Sequence, residues 1–292
     1  MERVTEKQYW MDGYLKDNLN SLAYNMKHDF DSLICISGSG LVRVGKSVLA
    51  QQIGYFMAYR LGTTMNLDNI VFSGAELISI AKILPKNSVI IYDEARGELD
   101  TKKVMENITK NLLDFFAECG MYNHCLIMVL PDYFELPKSV AINRSECLIN
   151  VIRTTGTTND SDGNEVVKFE RGVFEFYNRN GKKMLYILGK KNYDDYSIGK
   201  KYRSFFGEFP NVFVMDKKEY EDKKLKHIQR TRIKNRDELK LSIALHILSD
   251  YLSQQKMADQ FKERGMPFTQ ARMSQIMKVY TDLSKEIALH KS

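Results

Sequence analysis

The residues with the clearest chemical potential lie between Gly38 and Ser47, in the sequence Gly-Ser-Gly-Leu-Val-Arg-Val-Gly-Lys-Ser. Counted from Gly40, they match the P-loop pattern Gly-x-x-x-x-Gly-Lys-Ser, in which glycines let backbone N–H groups approach phosphates closely. Lys46 can reach the terminal phosphates of a nucleoside triphosphate, and the Ser47 hydroxyl can bind Mg²⁺. The pattern predicts a phosphate-binding loop made by Gly40, Val44, Gly45, Lys46, Ser47 and Val48.

The segments on either side match the elements that such a loop needs. Residues 32–36 form a short apolar run typical of a buried strand, and residues 48–61 predict a helix. The amino terminus of that helix would add partial positive charge at the phosphates. A strand, a glycine turn and a helix in this order favour a functional loop over a glycine-rich turn that happens to precede Lys-Ser.

A second set of chemical groups is the acidic pair Asp93 and Glu94, which follows the apolar run at residues 88–92. This pattern is typical of a buried parallel strand that delivers carboxylates to the edge of the sheet where ligands bind. Asp93 is predicted to hold Mg²⁺, because hard cations prefer carboxylate oxygen, and Glu94 to polarise the water that attacks the γ-phosphate. The competing interpretation is an acidic pair that caps the following helix.

The remaining elements of this region alternate between strands and helices. Strands are predicted at residues 69–72, 123–130 and 145–153, and helices at residues 74–84 and 101–118. The alternation predicts an α/β domain whose mostly parallel sheet is covered on both faces by helices. Asp132, just after one of these strands, is a poor γ-phosphate sensor because it would add negative charge beside phosphate, so the sensor stays unassigned.

The next stretch predicts an edge hairpin. Residues 154–165 are rich in Thr, Gly, Asn and Asp and predict a loop, and residues 192–215 predict an irregular segment. Between them, alternating runs at residues 172–177 and 183–188 are joined by Asn178-Arg179-Asn180-Gly181, a hairpin signal. The basic flanks of the second run fit either a DNA path or a device that blocks further strand pairing; they are Lys182, Lys183, Lys190 and Lys191.

Composition places the chain among ordinary globular proteins, with 43% hydrophobic and 27% charged residues. No apolar run approaches the roughly 18 residues that a membrane-spanning helix needs, and the first residues lack the apolar core of a signal peptide. The four cysteines show no CxxC pair and are predicted to be buried free thiols. We therefore expect a cytoplasmic protein without a membrane partner.

The positive charge is concentrated near the carboxyl terminus. Residues 216–292 hold 17 Lys and Arg against 11 Asp and Glu, which accounts for the whole net charge of +6. Such a tail on a neutral body favours binding to a polyanion, and the plainer alternative is a solvated basic helix without a partner. The sequence thus predicts an N-terminal extension (1–30), a P-loop domain (31–215), a basic linker or helix (216–238) and a helical domain (239–292).

Within the helical domain, helices are predicted at residues 239–252, 254–264 and 269–282, with a Gly-containing turn before the last. A short helix, a turn and a further helix are typical of a helix-turn-helix, in which the last helix enters the DNA groove. The residues predicted to contact DNA are Thr269, Gln270, Arg272, Ser274 and Lys278. The alternative is a helical dimerisation cap.

With these motifs in place, the chain resembles the additional-strand P-loop ATPases related to RecA, and within them the FtsK–HerA group, which includes zonula-occludens-toxin-like and viral DNA-packaging or translocating ATPases. The resemblance rests on residues 40–47, 89–94 and 124–152. It implies ATP and Mg²⁺ as cofactors, DNA as a partner, and a hexameric ring in which an arginine from the neighbouring subunit completes the site. Arg144 is the preferred candidate for that arginine, ahead of Arg153 and Arg96. A helix-turn-helix is not general in the group, and the expected absence of a membrane anchor departs from its toxin-like and FtsK types.

Three function classes follow from these residues. The leading hypothesis is a Mg-ATP-hydrolysing, DNA-associated ATPase that acts as a ring-shaped translocase or packaging motor of a mobile element or virus, with Lys46, Glu94 and Arg144 as catalytic residues. The alternative is an ATP-gated, DNA-binding replication initiator, loader or regulator in which the helix-turn-helix does the main work. A small-molecule kinase is disfavoured, because no arginine-dense lid is evident and paired acids suit the activation of water.

Overall fold

The computed structural model describes residues 9–39, 43–93, 107–159, 165–229 and 254–263, together with residues 244, 269, 271 and 274. Its strands are β1 Ser32–Ser37, β2 Ile70–Val71, β3 Val89–Asp93, β4 Cys125–Val129, β5 Cys147–Asn159, β6 Glu165–Tyr177 and β7 Phe205–Glu208. In the described residues they form one seven-stranded sheet, in the order β2-β3-β4-β1-β5-β6-β7. Strands β1 to β5 run parallel, and β6 pairs antiparallel with both β5 and β7.

The helices of the described residues are α1 Gly13–Met26, α2 Lys46–Leu61, α3 Gly74–Ile83, α4 Asn107–Glu118, α5 Arg179–Lys191, α6 at residues 217–229 and α7 Gln254–Glu263. Short 3-10 turns lie at Leu67–Asn69, Cys119–Tyr122, Tyr133–Glu135 and Tyr196–Lys201, and a π-helix spans Ser139–Arg144. Polar caps mark several helix starts. The side chain of Asp12 accepts a hydrogen bond from the first turn of α1, and Ser73 does the same for α3.

The central strands are buried on both faces of the sheet. Along β1, Ile34 and Ile36 pack into an apolar cluster with α1 and α2. Leu33 and Cys35 pack into a second cluster with α3, α4 and α5. Because successive side chains of a strand point to opposite faces, a strand covered on both sides is apolar throughout. The predicted α/β fold, with a mostly parallel sheet covered by helices on both faces, is confirmed.

The cysteines behave as predicted. All four, Cys35, Cys119, Cys125 and Cys147, are free and buried. Burial raises the pKa of the Cys35 thiol to about 11 and that of the Cys125 thiol to about 12. Both therefore remain neutral thiols at physiological pH and contribute to the core as small apolar side chains.

The predicted edge hairpin at residues 172–188 is wrong. Its first strand is the end of β6, but the following residues form α5, and the side chain of Asn178 caps this helix by accepting from the Gly181 N–H at 2.9 Å. Gly181 serves close packing rather than a turn, because a Cβ there would lie 2.3 Å from the carbonyl oxygen of Tyr202. The buried residues of α5 recur at helical spacing; they are Gly181, Lys182, Leu185, Tyr186 and Gly189.

Two related expectations also change. The loop predicted at residues 154–165 is largely strand, because β5 continues to Asn159 and β6 begins at Glu165, so these two long strands form the antiparallel ribbon of the fold. The basic residues of the predicted hairpin lie on α5 and therefore do not block pairing at the edge of a strand. Lys182 among them is fully buried, and its Nζ donates to the carbonyl oxygens of Ala141 at 2.8 Å and Ile142 at 2.7 Å.

The chain divides into two compact units, Met1–Tyr220 and Glu221–Ser292. The sheet belongs to the first unit. In the second unit, α7 confirms the helix predicted at residues 254–264, whereas the helices predicted at 239–252 and 269–282 fall almost wholly outside the described residues. In the parts of the chain that the structure describes, no helix is both long enough and apolar enough to cross a membrane.

Candidate functional site

The P-loop residues lie at the carboxyl edge of the sheet, which we define as the side where β1, β3 and β4 end. Around the turn, Ser39, Arg43 and Gly45 adopt left-handed backbone conformations, with φ angles of 50°, 58° and 103°. Gly40 lies outside the described residues. Helix α2 begins directly after Gly45, so the amides at its amino terminus, which have no partner within the helix, lie at the turn.

The described residues on either side of the turn are closely packed. A Cβ on Gly45 would lie 3.1 Å from Cζ of Phe209, in addition to the strain of its positive φ. A Cβ on Gly38 would lie 2.9 Å from Nζ of Lys46. The Lys46 side chain therefore folds back over the start of the loop. Val44 and Val48 are buried beside it and anchor the turn to the core.

Asp93 ends β3 at the same edge, two strands away from the P-loop strand. The register shows this directly, because Val129 of β4 pairs with both Ile36 of β1 and Asp93 of β3. At the usual spacing of strands, the Cα atoms of Ile36 and Asp93 are about 10 Å apart. The structure thus brings the two predicted Mg²⁺ ligands, Ser47 and Asp93, to one edge of the sheet, and Glu94 lies outside the described residues.

A tyrosine that the sequence analysis did not single out contacts Asp93. The hydroxyl of Tyr220 donates to Oδ2 of Asp93, and both side chains are buried. The Tyr220 ring packs against Phe72 and Phe213, with ring centroids 6.2 and 6.0 Å apart. Phe72 directly follows Val71, the last residue of β2, and Val71 pairs with Tyr92, the residue before Asp93. The aromatic contact and the hydrogen bond therefore lie at the same level of the sheet.

A second tyrosine holds a further carboxylate at this edge, that of Asp132. The Tyr196 hydroxyl donates to Oδ1 of Asp132 at 2.8 Å and accepts from the Tyr133 N–H at 2.7 Å. Burial raises the pKa of Tyr196 well above its ordinary value, so the hydroxyl keeps its proton and remains a donor. Asp132 also accepts from the Phe134 N–H at 2.9 Å. These contacts give Asp132 a structural role in the turn after β4.

Asn150 of β5 links the P-loop to the antiparallel part of the sheet. Its Oδ1 accepts from the hydroxyls of Ser37 at 3.2 Å and Ser39 at 3.1 Å, and Nδ2 donates to Glu175 at 3.4 Å. Glu175 is also paired with Arg203, at 2.9 Å between Oε1 and Nη1. Ser39 is one of the left-handed residues of the turn, so this buried network supports a backbone conformation that serine rarely adopts alone.

The residues at this edge fit a nucleotide with Mg²⁺. Gly38 lets the Lys46 side chain approach the start of the loop, and Ser47 and Asp93 carry oxygen atoms of the kind that Mg²⁺ prefers. Gln51, one turn after Ser47 on the same helix face, is 1% exposed, and neither of its side-chain polar atoms has a hydrogen-bond partner among the described residues. Within the described ranges no group of three or more His, Cys, Asp or Glu residues is placed to hold a metal ion, and Mg²⁺ bound through phosphates does not need one.

Arg144 lies at the opposite, amino edge of the sheet, where β1 and β4 begin. Its Nη2 donates to Asp31 and, at 3.1 Å, to Sγ of Cys119, and its Nε donates to the carbonyl oxygen of Phe116 at 2.6 Å. At about 3.3 Å per residue, Asp31 is about 20 Å from the end of β1. These are the contacts of a structural ion pair, and the role of Arg144 in a neighbouring subunit stays a prediction. Arg153 is exposed on β5, and Arg96 lies outside the described residues.

The predicted DNA contacts are described in part. Thr269 and Ser274 are exposed, whereas Gln270, Arg272 and Lys278 lie outside the described residues. A helix-turn-helix in this region therefore remains a prediction.

A comparison with models of protein families finds no match to this chain, and a comparison with curated proteins finds none either. The geometry of the carboxyl edge is therefore the main support for a function.

Proposed function

We propose that this chain is an ATPase that hydrolyses Mg-ATP at the carboxyl edge of its sheet and uses the energy on DNA, as an oligomeric translocase or packaging motor. The observation that carries the proposal is that Asp93 lies at the same edge of the sheet as the P-loop turn, because Val129 pairs with both Ile36 of β1 and Asp93 of β3. ATP supplies the phosphoanhydride that is cleaved, and Mg²⁺ supplies positive charge that neutralises the phosphate oxygens.

The residues of the chain have distinct roles in this proposal. The backbone of the turn and the amino terminus of α2 bind phosphate oxygens, because N–H groups and the helix dipole attract anions. Lys46 neutralises charge that develops on the terminal phosphate. Ser47 and Asp93 hold the metal, and Glu94, directly after β3, orients and activates the attacking water.

The strand order supports the resemblance to additional-strand P-loop ATPases. Strand β4 lies between the P-loop strand β1 and the Asp93 strand β3. This insertion, which the name of the class describes, sets the distance between Lys46 and the acidic residues. It puts the Cα atoms at the ends of the two strands about 10 Å apart, whereas adjacent strands would be only about 5 Å apart.

The association with DNA is supported by charge. The excess of positive charge lies in residues 216–292, and a motor that acts on a polyanion needs such a surface to stay bound while the nucleotide turns over. The described helix α7 agrees with the helical domain expected there.

Substitution of Lys46 tests the nucleotide site. The Lys46→Ala and Asp93→Asn variants should each hydrolyse ATP at least about 100-fold more slowly than the wild type, because each removes a charge that acts on the transferring phosphate. The matched control is Lys86→Ala, which removes an exposed lysine that lies 4.0 Å from Asp29. Wild-type hydrolysis by the Lys46→Ala protein would show that the site is assigned wrongly.

The action on DNA has its own test. Hydrolysis by a motor should rise severalfold with DNA of any sequence, and negative-stain images with ATP and DNA should show rings. Binding should weaken steeply with salt, and the double variant Arg272→Ala and Lys278→Ala should reduce that dependence. A strong preference for one DNA sequence, without stimulation of hydrolysis, would instead favour the ATP-gated regulator.

A further inference from the structure

Tyr220 lies in the first turn of α6, and its side chain reaches the carboxyl edge of the sheet. Its side chain is 4% exposed, and its hydroxyl reaches the carboxylate of Asp93, which is 2% exposed. The two residues are 127 positions apart in the sequence. A carboxylate in such a buried place needs hydrogen-bond donors, and a tyrosine hydroxyl supplies one without bringing a positive charge that would compete with a cation.

The backbone that precedes Tyr220 is attached to the P-loop helix. Nε2 of Gln52 in α2 donates to the carbonyl oxygens of Pro210 at 2.7 Å and Val212 at 2.9 Å. Phe209 packs against Gly45 at the P-loop turn. Residues 209–220, which we name the strap, therefore run from the P-loop turn at one end to Asp93 at the other.

The start of α6 fixes the direction of the Tyr220 side chain. Asp216 caps this helix, because its Oδ1 accepts from the Glu219 N–H at 2.9 Å and its carbonyl oxygen accepts from the Tyr220 N–H at 3.1 Å. With the ring held between Phe72 and Phe213, the hydroxyl has little freedom to leave Asp93. Both the backbone and the ring of Tyr220 are thus positioned by contacts that do not involve the carboxylate.

We propose that Tyr220 is a positioning residue that orients Asp93 for Mg²⁺. The inference rests on the proposed function, in which Asp93 is a metal ligand. The hydroxyl donates to Oδ2 and so fixes the orientation of the carboxylate that the metal would meet. Partners that hydrogen-bond to a metal ligand commonly change metal affinity 10- to 100-fold when they are removed. Tyr220 acts through Asp93 and takes no part in the reaction itself.

The test is the magnesium dependence of nucleotide binding in the Tyr220→Phe variant, measured on the full-length chain with a fluorescent ATP analogue. The Mg²⁺ concentration for half-maximal binding should rise about tenfold, whereas binding in the presence of a chelator should equal that of the wild type. This measurement reports binding and does not depend on catalytic activity.

The matched control is Tyr186→Phe. Tyr186 is also buried, and its hydroxyl donates to the carbonyl oxygen of Leu136 at 2.7 Å. Both variants lose one buried hydroxyl and one hydrogen bond, so a general loosening of the fold would affect both. A shift in magnesium dependence that is confined to Tyr220→Phe supports the proposal. An unchanged magnesium dependence in Tyr220→Phe, or an equal shift in both variants, overturns it.

The Asp93→Asn variant separates this inference from the proposed function. If Asp93→Asn loses the magnesium dependence and Tyr220→Phe keeps it, Asp93 is a metal ligand and only the role of Tyr220 is wrong. If Asp93→Asn itself keeps the wild-type magnesium dependence, the proposed metal ligand is wrong and the role of Tyr220 falls with it.

Discussion

The two edges of the parallel sheet hold the carboxylates of Asp31, Asp93 and Asp132 in different ways. At the amino edge, Asp31 is paired with the guanidinium of Arg144, which also contacts the end of α4 and the turn after it. At the carboxyl edge, Asp93 and Asp132 accept hydrogen bonds from the hydroxyls of Tyr220 and Tyr196. The first contact brings a positive charge to the acid, whereas the tyrosine hydroxyls are neutral donors.

This difference separates Asp31, which carries an ionic partner, from Asp93, the proposed metal ligand. The positive charge of Arg144 compensates the negative charge of Asp31, so a further cation would gain little at the amino edge. A carboxylate held by neutral donors keeps its negative charge for a metal. Substitutions at the amino edge should therefore change stability, and substitutions at the carboxyl edge should change nucleotide binding.

The largest effect on stability is expected for Arg144→Met. This change leaves Asp31 without its partner, and because the two side chains are 20% and 17% exposed the loss should be about 2 to 3 kcal/mol of unfolding free energy. Urea denaturation measures it. The control is Arg179→Met, whose pair with Glu146 is 63% exposed on the arginine side and should contribute less than about 1 kcal/mol. Equal losses of unfolding free energy in the two variants would contradict the structural role of Arg144. A loss of ATP hydrolysis by an Arg144→Met protein that is still folded would instead support a catalytic role of Arg144 in a neighbouring subunit.

A comparison of two buried asparagines should give an intermediate effect. Asn150→Ala removes the support of Ser39 in the P-loop turn and should weaken nucleotide binding about tenfold, because the turn must then adopt its left-handed conformation unaided. Asn123→Ala at the amino edge should leave nucleotide binding unchanged. It should cost about 2 kcal/mol of unfolding free energy, since Asn123 has a φ of 51° and donates to Met26 and Asn87. If Asn123→Ala also lowered nucleotide affinity, the two edges would not be separable.

The smallest effect concerns pH. His124 is buried at the amino edge with Nε2 2.8 Å from the carbonyl oxygen of Ala81, and burial lowers its pKa below the ordinary value of 6.5. The unfolded chain therefore binds the proton more tightly, so the contribution of His124 to stability is complete above pH 6.5 and is lost as the pH falls below that value. Urea denaturation at pH 7.5 and pH 5.5 should show a smaller difference for His124→Gln than for the wild type. An unchanged difference would show that His124 does not cause this pH dependence.

Much of the first unit could be predicted because its signals are local. The run before the P-loop, the glycine turn and the helix after it are neighbours in the chain, and the apolar strand that ends at Asp93 has the pattern of a strand buried on both faces. The hairpin prediction was wrong because a short apolar run, here at residues 184–188, cannot be told from a helix segment by periodicity alone. Asn178 and Gly181 are typical of a hairpin turn, but the same residue types also suit a helix cap and a site of close packing, which are their roles in α5.

The sequence by itself determined that this chain carries the P-loop pattern followed by an apolar strand that ends in an acidic pair, because both depend on residue types at fixed short spacings. The tertiary structure decided which groups meet these residues. Tyr220 reaches Asp93, Asn150 reaches Ser39 and Arg144 reaches Asp31, each across more than 100 residues. Such pairs depend on the order of strands in the sheet and on the path of the strap over α2. Neither feature follows from local spacing. Tyrosine, asparagine and arginine are common residues, and the packing of distant segments determines which groups they contact.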